Sequence, residues 1–213
     1  MSKVIVKNIV EKESNITLSV KSGEKVIFVL IGIEPGKKEI IVELSGREAS
    51  VSILGIFLLD RGKIKIRTVQ HHQAFGTTSD LLFKSILFDK ADFSYHGLIR
   101  VDEGASGSNA YQHNDNILMS QDTKVDTRPE LEILTDEVRC THGATVGQVS
   151  EDEIYYLMSR GLSRSESMFM VLKGFFSDVL DRIPDEPKRR EILDIIIPKL
   201  EKGMTNLCQS NSV

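Results

Sequence analysis

Residues 51–72, VSILGIFLLDRGKIKIRTVQHH, show the pattern that governs the first two-thirds of the chain. A continuous apolar run, Val51–Leu59, is followed by the five residues 63–67, in which apolar and basic side chains alternate. Alternation with a period of two places the two kinds of side chain on opposite faces of a β-strand. This stretch therefore predicts β-structure with at least one apolar face.

Short apolar runs continue on both sides of this stretch, and turn residues separate them at intervals too small for helices. The early breaks are at residues 22–23, 34–36 and 45–46, and later breaks carry Asp at residues 89–90, 102–104, 121–122 and 135–136. Residues 1–149 are therefore predicted to be nearly all β. A sandwich, a barrel and a β-helix all fit, and the regular Asp turns favour stacked coils although no repeat has a fixed length.

Residues 150–213 have the period of helices instead. Ser150–Glu153 and Ser163–Glu166 are capping-box patterns that predict two helix starts, and Gly161 is a natural end for the first helix. A third helix is predicted from about residue 188 to residue 202, ended or kinked by Pro198 and followed by a frayed polar tail after Gly203. The predicted apolar helix positions are Ile154, Leu157, Met158, Phe169, Leu172, Phe176, Val179, Leu180, Ile192, Ile195, Ile196 and Leu200.

Composition excludes several classes of protein. The net charge of −4 over 213 residues gives no electrostatic reason to expect nucleic acid as a partner. The sequence has no run of about 18 apolar residues that would predict a membrane span, and its N-terminal part lacks the features of a secretion signal. The two cysteines, Cys140 and Cys208, occur in unlike contexts, which argues against a disulfide framework. We therefore expect a cytoplasmic protein.

The pair Cys140 and His142 is the first candidate site. On a strand, residues two apart point to the same face, so a thiolate and an imidazole would lie side by side. These groups are suitable ligands for iron or zinc and also a suitable reactive pair. The alternative interpretation is a small buried cysteine beside a hydrogen-bonded strand histidine.

Three carboxylates, Asp126, Glu130 and Glu132, with Asp115 upstream, form the second candidate site. Glu130 and Glu132 would share a strand face, and β-helix enzymes that cleave polysaccharides use such arrays for acid–base chemistry. The alternative is the solvated face of a strand, and the absence of Trp with only four Tyr argues against a sugar-binding groove. The remaining histidines, His71, His72, His96 and His113, do not have metal-ligand spacing.

From residue 71 to residue 183 the chain resembles the C-terminal part of the SufB/SufD family of iron–sulfur cluster assembly proteins. Five motifs in the family's order carry the resemblance: residues 97–101 (GLIRV), 114–120 (NDNILMS), 125–133 (VDTRPELEI), 140–147 (CTHGATVG) and 154–162 (IYYLMSRGL).

The resemblance implies a right-handed parallel β-helix, residues 1–149, with a C-terminal helical segment, residues 150–213. It implies a scaffold rather than an enzyme, which pairs through its β-helix with a second SufB/SufD-type subunit, as a homodimer or a heterodimer. Cys140 and His142 match the family's Cys and His. They are expected near that subunit junction, where a transient iron–sulfur cluster would form with none tightly bound.

The resemblance also implies that the C-terminal helices dock a SufC-like ABC-type ATPase. The apolar residues of those helices exceed what a small appendage could bury against itself, so we expect part of them to contact the partner. The expected docking residues are Ile154, Leu157, Phe169, Leu172, Phe175 and Phe176.

Two departures make the chain similar to SufD rather than SufB. SufB subunits carry a cysteine where this chain has Ile133, and a Glu after the motif histidine where this chain has Gly143. Two functions from other classes stay open at this point: a β-helix polysaccharide hydrolase or lyase that uses Asp126, Glu130 and Glu132, and a small metal-delivery protein centred on Cys140 and His142.

Overall fold

The computed structural model describes residues 3–8 and 15–210, and it confirms a parallel β-helix followed by three helices. The strands are β1 (Lys3–Asn8), β2 (Asn15–Val20), β3 (Lys25–Gly32), β4 (Gly36–Leu44), β5 (Ser50–His72), β6 (Thr78–Val101), β7 (Asn109–Leu118), β8 (Lys124–Ile133) and β9 (Arg139–Gly147). The helices are α1 (Glu151–Ser159), α2 (Arg164–Leu180) and α3 (Glu186–Ser210).

The strands form two ladders in which every neighbouring pair is parallel. The first ladder joins β1, β3, β5, β6, β7 and β9, and the second joins β2, β4, β5, β6 and β8. Strands β5 and β6 belong to both ladders because each bends at a corner and continues. A coil of the β-helix therefore has two legs, one in each ladder.

The two legs of β5 explain the two sequence patterns of residues 51–72. Residues 53–59, in the first leg, are all buried, because one face of this leg lines the interior of the β-helix and helices cover the other. In the second leg Ile64 and Ile66 are buried, whereas the basic residues that alternate with them, Lys63, Lys65 and Arg67, are exposed. A continuous apolar run thus marks a leg buried on both faces, and alternation marks a leg with one face in solvent.

The corner between the two legs is a bend in a continuous strand. The register of β5 with β6 shifts between Leu59 and Arg61, and Gly62 and Asp89 have φ of 87° and 40°. The prediction of separate strands on either side of residues 89–90 was therefore wrong. The left-handed backbone of these residues lets the strand turn without losing its neighbours.

The opposite corner repeats one turn conformation from coil to coil. Gly23, Glu48, Gly76 and Gly107 all have φ between 57° and 74°. Each donates its backbone N–H to a carbonyl in the next coil, at distances of 2.7–3.1 Å. Glycine adopts this conformation at little cost, so Glu48 is the exception in the column.

Coil length varies, which accounts for the absence of a fixed sequence repeat. The offset between paired residues is 23 positions for Lys3 with Val26 and 32 positions for Asp92 with Lys124. The turns absorb this variation while the strands keep their register.

Helices α2 and α3 pack on the outer face of the first ladder. Leu172 and Phe176 from α2, with Ile192 and Ile196 from α3, share one buried cluster with the outward side chains of β3, β5 and β6, Ile56 among them. No helix in residues 3–8 and 15–210 is long and apolar enough to cross a membrane.

The helix ends agree with the predicted caps in part. Ser163 and Glu166 form the complete capping box, whereas at the first helix only the Ser150 hydroxyl accepts a backbone hydrogen bond, from Glu153. Gly161 has φ of 96°, as a C-terminal glycine requires.

The predicted end of the third helix was wrong, because α3 runs through Pro198 to Ser210 without a frayed segment after Gly203. Pro198 lies on the exposed side of α3, whereas Ile196 and Leu200 on either side of it are buried. Their packing holds the helix together past the proline.

Candidate functional site

Cys140 and His142 lie on β9, the last strand of the first ladder. They pair with Ala110 and Gln112 on β7, which are buried in the interior of the β-helix, so both side chains are on the interior side of the sheet. Cys140 is half-buried against Ile99 and its neighbours, and His142 is exposed. The pair lies on the last strand of the β-helix with His142 open to solvent, and the expected subunit junction at this place stays a prediction.

The chemistry of the pair is that of an incomplete ligand set. Partial burial raises the pKa of the Cys140 thiol, and a backbone hydrogen bond with Ala110 opposes this only in part, so the thiol is protonated at neutral pH. A metal ion or an added positive charge would be needed to hold the thiolate. The described residues contain no group of three potential His, Cys, Asp or Glu ligands, so further ligands would have to come from outside the described part.

The interior becomes polar beneath this end. In the first coils most inward side chains are apolar, with Lys38 as an exception, whereas β7 turns Gln112, Asn114 and Asn116 inward, and all three are buried. Asn116 donates to the side-chain oxygen of Asn114 at 2.9 Å and accepts from the Ser85 hydroxyl at 2.7 Å. Gln112 of this layer lies beneath His142, whereas Cys140 packs on the apolar cluster around Ile99.

His72 is the centre of a second polar group in the interior. Its two ring nitrogens are 2.8 Å from the hydroxyls of Thr77 and Ser79. Burial, with a smaller contribution from His71, lowers the pKa of His72 to about 4, so its ring is neutral. His71 faces outward and contacts Asp102 at 2.9 Å, so the two adjacent histidines do point opposite ways.

Three buried polar atoms near this end have no hydrogen-bond partner among the described residues. They are the side-chain carbonyl oxygens of Gln70 and Gln112 and the hydroxyl of Thr127. The Gln112 amide crosses the interior and donates to the carbonyl of Gly97 at 3.3 Å. A side chain at Gly97 would collide with this amide and with the Tyr95 hydroxyl, so glycine is needed there.

A histidine that the sequence analysis assigned no role lies on the outer face of the same end. His113 on β7 contacts Asp115 at 2.7 Å, and Thr145 on β9 donates to the same carboxylate at 2.6 Å. A Cβ atom at Gly143 would lie 2.7 Å from the Nδ1 atom of His113. Gly143 therefore leaves room for this ring, and the alternation of His113 with Asp115 was the only signal in the sequence.

The three carboxylates of the second candidate site lie on one strand, and the pKa shift of Asp126 is not that of a catalytic acid. Asp126, Glu130 and Glu132 lie on the outer face of β8. Arg128 donates two hydrogen bonds of 2.9 Å to Asp126, which lowers the pKa of this carboxyl group. Glycoside cleavage needs a carboxyl group held protonated, and Asp126 has the opposite shift. Asp115 lies in the other ladder, with His113.

The six residues expected to dock a partner divide into two groups. Ile154, Leu172 and Phe176 are buried within the chain, so in this structure they offer no surface to a partner. Leu157, Phe169 and Phe175 are half-buried.

Phe169 lines a groove of about 660 Å³ between α2 and α3. The groove also includes Leu162, Met170, Lys173 and Met204. This groove is one part of the helical surface that is accessible to a partner.

Exposed apolar side chains concentrate at the open end of the β-helix and on the helix that follows it. Tyr111, Leu131, Ile133, Leu134, Val146, Tyr155, Tyr156 and Met158 are 38–60% exposed. Within residues 3–8 and 15–210, strands β8 and β9 each have a hydrogen-bonded neighbour on one side only. An exposed edge with apolar side chains favours addition of another chain.

Comparison with known proteins agrees with these features. Residues 7–175 match the SufBD core domain of the SUF system for FeS cluster assembly. The chain is 32% identical over 162 residues to the iron–sulfur cluster assembly protein SufD of Escherichia coli, which covers 76% of this chain and 38% of that protein.

Two further relatives show the same extent of similarity. SufD of Bacillus subtilis is 32% identical over 129 residues, or 60% of this chain and 30% of that protein. An iron–sulfur cluster assembly SufBD family protein of Mycobacterium leprae is 34% identical over 157 residues, or 73% of this chain and 18% of that protein. The chain spans less than two-fifths of the length of these relatives. It belongs to the SufBD family of iron–sulfur cluster assembly proteins.

Proposed function

We propose that the protein is a scaffold subunit on which an iron–sulfur cluster is assembled, and that it does this in the cytoplasm without catalysing a reaction of its own. The observation that carries the proposal is the open end of the β-helix, where a thiol and an imidazole stand on the last strand. Thiolate and imidazole groups bind iron, and an incomplete set releases its cargo more readily than a closed site.

The second subunit would add at the edges of β8 and β9. The free backbone groups of these strands can pair with another strand, and Val146, Leu131 and Ile133 supply apolar area for the contact. The partner would be a second copy or another SufB/SufD-type subunit. It would bring the ligands that Cys140 and His142 lack, and the cluster would be cargo shared between the two.

The SufC-like ATPase would dock on the groove between α2 and α3. Phe169, Met170 and Met204 line it, and Met170 is 49% exposed. Lys173 and Glu201 at its rim would fix the orientation of the partner. Ile154, Leu172 and Phe176 would support this surface from within rather than touch the partner.

The proposal is tested by anaerobic reconstitution of the chain with its partner subunit, ferrous iron and sulfide. The cluster is followed by visible absorption. We expect Cys140→Ser with His142→Asn to reduce the cluster yield strongly, and His96→Asn, on the outer face of the second ladder, to leave it unchanged. Equal yields from the double variant and the natural protein would rule out a role for this pair.

The two contacts are tested with single charges on exposed apolar positions of the full chain. Val146→Asp should break pairing in light scattering, and Met170→Asp should abolish capture of the organism's SufC-like ATPase. Phe75→Asp, in a turn away from both surfaces and 43% exposed, is the control for both. A monomer at micromolar concentration, alone and with its partner, would refute pairing, and full capture by Met170→Asp would refute docking in the groove.

A further inference from the structure

No helix of the described part of the chain covers the outer face of the second ladder, and charge is unevenly distributed on this face. Helices cover the outer face of the first ladder, whereas the outward side chains of the second legs stay exposed or half-exposed. The parallel register places these side chains in rows that run across the strands. Each row therefore combines one residue from each of β5, β6 and β8, and every row beyond that of Lys63 also includes one residue of β4.

Three adjacent rows near the corner are mainly basic. Together they contain six Lys and Arg side chains against three carboxylates, in a chain whose net charge is −4. The basic residues are Lys37, Lys63, Lys65, Arg67, Lys124 and Arg128.

Half of these basic groups lack an acidic partner. Lys63, Arg67 and Arg128 each pair with one carboxylate, whereas Lys37, Lys65 and Lys124 have no carboxylate within 4 Å among the described residues. Lys37 and Lys65 are also directly opposite each other on neighbouring strands. Like charges in that position repel each other and destabilise a sheet. An anionic group of a partner between Lys37 and Lys65 would reduce this repulsion.

The next row is apolar on β4, β5 and β6 and ends in Glu130 on β8. Ile41, Val69 and Leu98 are register neighbours and all are half-exposed. Across two strand spacings this row is about 9.6 Å long, close to the rise of about 10.5 Å over seven residues of an α-helix. The row beyond it is mixed and consists of Glu43, His71, Arg100 and Glu132, so the basic rows lie on one side only of the apolar residues.

We infer that this face binds an amphipathic helix of a partner protein that carries an apolar stripe with acidic side chains on one flank. The apolar stripe would lie on Ile41, Val69 and Leu98, and its acidic flank would contact Lys37, Lys65 and Arg67. On the other flank Glu130, Glu43 and Glu132 outnumber Arg100, which disfavours acidic side chains of the partner there. The three interspersed carboxylates disfavour nucleic acid, which needs a continuous basic surface. This contact lies apart from the surfaces proposed for subunit pairing and ATPase docking.

The test uses an 18-residue fluorescent model helix with a leucine stripe, glutamates on one flank and lysines on the other. Binding is measured by fluorescence anisotropy at low and high salt. We expect saturable binding that weakens several-fold at high salt, because surface charges are screened. Lys37→Glu with Lys65→Glu should weaken it at least tenfold, and Leu98→Ser should weaken it as well.

The matched control is Lys21→Glu with Lys25→Glu. It makes the same change of charge at exposed lysines at the other corner, and its binding should stay within twofold of the natural protein. Circular dichroism checks that all variants are folded. Absence of saturable binding, or equal loss in the two double variants, overturns the inference.

Two other outcomes would also overturn it. The face would be assigned to nucleic acid if a DNA duplex displaced the model helix from the natural protein and did not bind the Lys37→Glu, Lys65→Glu variant. Self-association that this variant abolishes in sedimentation would assign the face to a second copy. Cluster reconstitution by the variant should be normal, so failure here is distinguishable from failure of the scaffold function.

Discussion

The buried His72 should make the protein lose stability as the pH falls below about 6.5. Its folded-state pKa is lowered to about 4 from an unfolded value of 6.5, so the unfolded chain binds the proton first. The contribution is fully present above pH 6.5 and is lost progressively between pH 6.5 and pH 4. A difference of about 2.5 pKa units corresponds to about 3 kcal/mol at most, with a slope of at most about 1.4 kcal/mol per pH unit.

Urea unfolding followed by circular dichroism at several pH values between 4 and 7.5 measures this slope. Carboxyl groups also titrate in this range, so the natural protein is compared with His72→Gln, which keeps a polar side chain near Thr77 and Ser79 but cannot titrate. As the pH falls from 7.5 to 4, the natural protein should lose about 3 kcal/mol of unfolding free energy more than the His72→Gln variant loses. His96→Gln, at a half-exposed position of the second ladder, should keep the slope. A His72→Gln variant with the same pH dependence as the natural protein would show that His72 is not buried as a neutral ring.

Three substitutions test other features through urea unfolding of the full chain. Glu48→Gly should stabilise the protein by up to about 1 kcal/mol, because it removes a non-glycine side chain from a left-handed backbone conformation. Gly107→Ala should destabilise the protein for the opposite reason. Unchanged urea midpoints for both variants would contradict the repeated turn conformation at this corner. Gly143→Glu should cost about 1–3 kcal/mol and separate His113 from Asp115, visible as a shift of the His113 ring signals in NMR, whereas unshifted signals would contradict the contact. Lys84→Met should cost about 1–2 kcal/mol, because Lys84 contacts Asp178 of α2 at 3.1 Å and the Phe175 ring at 4.6 Å; a neutral result would mean that apolar packing alone holds α2.

The sequence predicted the parts of the fold that depend on local pattern. Alternation at residues 63–67 identified a leg with one buried face, and the caps at Ser150 and Ser163 identified two helix starts. The corner at residues 89–90 was misassigned because a Gly or Asp in a left-handed conformation looks the same in a turn and in a bend of a continuous strand. The length of α3 was underestimated because tertiary packing of Ile196 and Leu200 overrides the local effect of Pro198.

The candidate site was predictable only where its residues are close in sequence. Cys140 and His142 share a face because they are two apart on one strand. The contact of His113 with Gly143 depends instead on a register offset of 30 residues, which the variable coil length hides. The division of the helical residues into buried and accessible ones had the same cause, since Leu172 and Phe176 could be placed only once the outer face of the first ladder was known to be apolar.

The polar interior beneath β9 explains how a β-helix can keep an open end. An apolar end would leave buried-type side chains in water, and a further coil would cover it at the expense of access to Cys140 and His142. Asn114 and Asn116 hydrogen-bond to each other, and Asn116 also accepts from Ser85. These buried amides therefore keep hydrogen-bond partners close to the open end. The same layer leaves the carbonyl oxygen of Gln112 without a partner one rung below His142. The last coil thus turns both polar and apolar side chains inward, His142 beside Leu131 and Ile133, a mixture compatible with the proposed contact with a second subunit.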